Sequence, residues 1–154
     1  RTRSGLIVET GEAREVMHMA LLLGFGATAL NPYLAFDVVA DMTLKEELSA
    51  TLGVAKALEN YIHSLCKGLL KIMSKMGIST LRSYRGAQVF EAIGLNSAVV
   101  DRYFAGAVSR VEGIGLDEIA AEANSRWRAV RFLSFRARPR GPLNRCLRRV
   151  PRAC

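Results

Sequence analysis

The chain has 154 residues, half of them hydrophobic, and a formal net charge of +8. That length fits one domain or part of one, with enough apolar residues for a real core. Ten arginines and no acid fall between Ser125 and Cys154, leaving 12 basic against 14 acidic residues in 1–124, a balance of −2, so the body is excluded from the class of basic proteins.

The chain opens on Arg1 without a methionine, which reads as a processed chain or a fragment, and no signal-peptide pattern follows. The longest nearly apolar run, Met19 to Leu30, is shorter than the roughly 18–20 residues a membrane helix needs, and Asn31-Pro32 interrupts it. The expectation is a soluble, intracellular chain with no membrane partner. Cys66, Cys146 and Cys154 make an odd set without a CxxC pair, which argues against a disulfide framework or a structural zinc site. His63 and Cys66 share a helix face, but with only His18 as a further soft ligand they make no metal site.

Along the chain, Gly5–Glu9 predicts a short buried strand. Glu12–Leu23 predicts a helix, with Val16, Met19, Ala20 and Leu23 on one stripe, Glu12 and Glu15 in the first turn, and Gly24 and Gly26 ending it. Ala27–Leu30 predicts a second strand, and Asn31-Pro32 launches a helix over Tyr33–Asp41. This strand-helix-strand-helix order is the pattern of an α/β layer with parallel strands.

Thr43 with Glu46 three residues on reads as a capping box that starts the next helix, and Gly53 interrupts it. The strongest amphipathic pattern follows: Val54, Leu58, Tyr61, Ile62, Leu65, Leu69, Ile72, Met73 and Met76 on one side, with Lys56, Glu59, His63, Lys67, Lys71 and Lys75 opposite. Gly77 is its stop signal. Arg85–Ile93 predicts a helix ended by Gly94. Asn96 or Ser97 caps another through Tyr103-Phe104, Glu112–Gly115 reads as a loop, and Leu116 to about Arg128 as a last amphipathic helix. The expected fold is therefore α/β and partial: strand-helix-strand-helix, then a mostly helical junction. The arginine-rich tail from Ser125 lacks a sustained apolar period and is expected to be disordered.

Gly24–Ala29, "GFGATA", matches G-x-G-x-x-A. It follows a helix and opens a strand, the reverse of the order a dinucleotide site needs, and reads as a tight turn. His18 borders the apolar stripe of its helix with no carboxylate or nucleophile to pair with, so a packed imidazole is expected. The five methionines read as packing. Lys67, Lys71 and Lys75 form either a solvated helix face or a surface for an anion or acidic partner. The tail arginines, with Trp127, Phe132 and Phe135, offer a phosphate-binding alternative: a stand-alone nucleic-acid-binding module. Their abrupt onset and Arg/Pro/Ala/Gly/Cys composition fit out-of-frame translation of a GC-rich gene better, so nucleic acid is not the expected partner.

Two stretches carry a family resemblance: "GLIVETGEAREV" through "ALNPYLA", and "CKGLLKIMSKMGISTLRSYRGAQVFEAIGLNS" through "SRVEGIGLDEIA". From Ser4 to Glu122 the chain closely resembles the large (alpha) subunit of glutamate synthase, an iron–sulfur flavoprotein. The resemblance implies an oxidoreductase that converts glutamine and 2-oxoglutarate into two glutamates, for ammonia assimilation and glutamate biosynthesis. It implies FMN and a 3Fe-4S cluster in the parent, and electrons from a small NADPH-oxidising subunit or from ferredoxin. The location would be cytoplasmic in a bacterium and plastid in a eukaryote.

By that resemblance, residues 1–70 are the C-terminal part of the central domain, 71–124 the beginning of a truncated FMN-binding synthase domain, and 125–154 an unrelated tail. Lys71, Met73, Ser74, Lys75, Met76 and Ser79 are the candidates for a surface near the flavin or the ammonia path. No catalytic residue and no metal ligand is expected here. The family usually has two adjacent histidines in the first helix, where this chain has Met17 and His18. The glutaminase cysteine, the main FMN segment and the cluster cysteines are absent. The chain alone is expected to bind no FMN, carry no cluster and be inactive, its partner being the rest of the large subunit.

Overall fold

The computed structural model describes residues 4–49 and 51–134. They fall into two compact units, one through Ala87 and one from Gln88.

The first unit opens with β1 (Ile7–Glu9), α1 (Val16–Gly24), β2 (Ala29–Asn31) and α2 (Tyr33–Leu44). β1 and β2 pair in parallel, Ile7 opposite Ala29 and Glu9 opposite Asn31, with α1 as the crossover, as the α/β pattern predicts. The buried strand is a correction: Ile7 is 70% exposed, because a two-stranded sheet leaves β1 an open face. α1 starts at Val16, four residues later than the acidic turn suggested, and the two N–H groups just before it are served by a side chain of its first turn. His18 Nδ1 accepts from the N–H groups of Arg14 (3.2 Å) and Glu15 (3.3 Å). Met19, Ala20 and Leu23 are buried as the stripe requires, and the chain leaves the helix through Gly26 at φ +111°.

The capping box at Thr43 does not form. Thr43 lies inside α2, where its Oγ1 donates to the Val39 carbonyl at 2.7 Å, and Glu46 takes a left-handed φ of +59°. A buried Thr in the last turn of a helix bonds back to its own helix rather than starting a new one. α3 (Val54–Lys75) follows Gly53; its 22 residues run about 33 Å at 1.5 Å per residue. Ala57, Leu58 and Met73 are buried along it. A short helix, α4 (Leu81–Tyr84), closes the unit.

In the second unit β3 (Glu91–Leu95) and β4 (Val108–Ile114) pair in parallel around α5 (Ser97–Tyr103), and α6 (Leu116–Ser134) follows. The helix expected over Arg85–Ile93 is thus corrected to α4, a turn and a strand. Gly86 and Gln88 take positive φ, which breaks a helix, and pairing with β4 decides the rest, a partner that local pattern cannot supply. The loop expected at Glu112–Gly115 is also corrected, since Glu112–Ile114 belong to β4. Gly113 is there because its α-carbon side lies against the backbone of Gly94, where the register shifts.

The cap of α5 is the expected Asn96, whose Oδ1 accepts from Val99 N at 2.9 Å. α6 begins as predicted, with Asp117 and Glu118 in its first turn, but continues to Ser134, so the break expected at Ser125 does not occur there. Alanine and arginine are good helix formers, and Arg126 reaches Glu122 one turn back at 3.9 Å. The remainder of the expected tail lies outside the described residues. Among the described residues no helix is long and apolar enough to cross a membrane.

Candidate functional site

The family-like run "KGLLKIMSKMGIST" occupies the C-terminal half of α3 and the link to α4. α3 stops in a full Schellman motif: Ile78 N donates to Met73 O at 3.0 Å and Gly77 N to Ser74 O at 3.1 Å, with Gly77 at φ +71°. The chain then turns into α4, capped by Thr80, whose Oγ1 accepts from Ser83 N at 3.3 Å.

Behind that turn the segment folds back on α1 and β2. Tyr84 is fully buried and donates to the Ala20 carbonyl at 3.1 Å. Arg85 Nη1 donates to Thr28 Oγ1 at 2.9 Å, and Gly86 N to Gly24 O at 2.8 Å. The glycine-rich "GFGATA" turn is therefore a docking point for the end of this segment. It follows α1 and leads into β2, the order that argued against nucleotide binding.

The other end of α3 is tied down by Tyr61. Its hydroxyl donates to the Arg14 carbonyl at 2.7 Å, and its ring meets Phe36 of α2 edge-on at 6.0 Å. Burial raises the pKa of both Tyr61 and Tyr84. Between them Gly68 lets α1 approach, for a Cβ there would stand 2.5 Å from Val16 Cγ2. Sequence reasoning missed Tyr61, Gly68 and Tyr84 as positioning elements. The signal for Gly68 was present: a glycine inside an otherwise uninterrupted helix pattern.

Of the candidate residues, Lys71, Ser74, Lys75, Met76 and Ser79 are exposed, whereas Met73 is only 4% exposed and belongs to the core of this unit. Lys67 is exposed as well, so the structure brings the lysine stripe and the exposed candidates onto one helix and its exit. Like charges four residues apart destabilise a helix by about 0.2–0.5 kcal/mol per pair, so the stripe is not there for α3's own stability. His18 is half-buried, and its Nδ1 accepts from the N–H groups of Arg14 and Glu15 at the start of α1.

A shallow cleft of about 330 Å³ lies beside His18, lined by Thr10, Glu12, Ala13, Arg14, Leu21 and Leu22. It contains no nucleophile–base pair, and its walls are mainly apolar. Among the described residues no group of three or more His, Cys, Asp or Glu side chains is placed to hold a metal ion. What the segment does present is a cationic, hydroxyl-bearing surface on α3 and its exit.

The family model described as glutamate synthase central domain matches residues 1–96. The chain is 50% identical over 131 residues to the glutamate synthase [NADPH] large chain of Bacillus subtilis, covering 83% of this chain and 8% of that one. It is 44% identical over 123 residues to the glutamate synthase [NADH] of Schizosaccharomyces pombe, covering 80% and 6%. It is 44% identical over 127 residues to the ferredoxin-dependent glutamate synthase of an Antithamnion species, covering 77% and 8%. The chain spans less than a tenth of the length of these relatives.

Proposed function

Because the chain belongs to the glutamate synthase central domain family, we propose that it is the C-terminal part of that domain, from a large subunit that makes two glutamates from glutamine and 2-oxoglutarate. The observation that carries this reading is the 50% identity maintained across 83% of the chain. The parent holds FMN and a 3Fe-4S cluster outside these residues and takes its electrons from a nicotinamide-oxidising subunit or from ferredoxin. It works in the cytoplasm of a bacterium or the plastid of a eukaryote. The relatives' names include NADPH, NADH and ferredoxin forms, so the donor is not part of the proposal.

Within the parent, residues 1–70 are the end of the central domain and 71–124 lead into the FMN-binding synthase domain. The family match to the central domain runs on to residue 96 and the first compact unit to Ala87, both past residue 70. Lys71, Ser74, Lys75, Met76 and Ser79 form a surface turned toward the flavin or the ammonia path. Met73 supports that surface from inside, and the Tyr61 and Tyr84 bonds keep it rigid. The isolated chain is a structural piece without turnover.

A chimera tests this. Residues 4–124 replace the matching segment of the Bacillus subtilis large chain, and glutamine- and 2-oxoglutarate-dependent NADPH oxidation is measured. Retained flavin and turnover are expected; a folded, flavin-loaded chimera without turnover overturns the assignment. Flavin absorbance co-purifying with the 154-residue chain would overturn its predicted inactivity.

A further inference from the structure

We draw no further inference here: the strongest candidate, the apolar patch of the β3/β4 sheet where Ile93 lies opposite Val111 and both are exposed, carries nothing because nothing in the structure shows what covers it.

Discussion

Replacing Gly68 by alanine sets two known effects against each other at one atom. In mid-helix the change should stabilise α3 by about 1 kcal/mol, because glycine is the poorer helix former. The new Cβ, however, would stand 2.5 Å from Val16 Cγ2, 2.6 Å from Cγ1 and 3.1 Å from Cβ. Ordinary carbon–carbon contact is about 3.5–4.0 Å, so the helices must part by roughly 1 Å or Val16 must leave its rotamer. Rotation gives little relief, since both γ carbons crowd the site and a β-branched residue in a helix has one strongly preferred χ1. Overpacking of this kind costs about 1–3 kcal/mol. The packing loss outweighs the propensity gain, and Gly68→Ala is predicted to destabilise the chain by about 1 kcal/mol net, the difference of the two ranges. Urea denaturation followed by circular dichroism should show the midpoint falling by about 0.5 M for an m-value near 2 kcal/mol/M. In a Val16→Ala background both γ carbons are gone, so the same change should become neutral or stabilising. A single Gly68→Ala variant more stable than wild type would refute the close approach of α1 and α3.

Gly77→Ala should cost about 1 kcal/mol, since φ of +71° in the Schellman turn disfavours any residue with a Cβ, and a lowered thermal midpoint with unchanged helix content checks it. Tyr84→Phe should cost about 1 kcal/mol by removing the buried donor to the Ala20 carbonyl, read from the same urea titration. Burial holds the Tyr61 and Tyr84 hydroxyls protonated above the ordinary value of 10.0. The unfolded chain therefore releases these protons first as pH rises, and the folded chain binds more of them. Stability should be whole below pH 10.0 and decline above it, with a shallower decline in Tyr84→Phe. Gly113→Ala should cost more than about 2 kcal/mol, because its Cβ meets Gly94 backbone, which cannot move aside like a flexible side chain. Loss of amide protection along β3 and β4 would register it.

The sequence disclosed most where one element carried its own explanation. α3 was legible over its whole length because the stripe from Val54 to Met76 repeats every three to four residues and Gly77 ends it. Asn96 and Pro32 announced the helices they start. Failures came where a distant partner decides. Glu91–Leu95 has no strand identity until β4 lies beside it, and Gly113 looks like a loop glycine until Gly94 is its neighbour. Thr43 offered the right cap chemistry, but its hydroxyl found Val39 O first. His18 was read as packed. Its capping role was hidden because Nδ1 serves two N–H groups that precede the helix, a job usually done by an oxygen.

The family-like stretch illustrates why a resemblance and a periodicity give different kinds of knowledge. Periodicity separates the buried side of α3 from the wet side, and so assigns Met73 to the core and Lys71 and Lys75 to the surface. It cannot explain why the wet side keeps three unpaired lysines while Lys45 and Lys56 have partners on their own helices. The long match to glutamate synthases supplies a context in which more than nine-tenths of each relative's chain lies outside these residues. A helix tied to the Arg14 carbonyl through Tyr61, followed by a Schellman turn and by the buried Tyr84 of α4 bonded to the Ala20 carbonyl, is built to hold its exposed side chains in place. Rigidity of that kind lowers the ordering cost of any contact these side chains make, so the tyrosine bonds matter to the exposed face as much as its charges do.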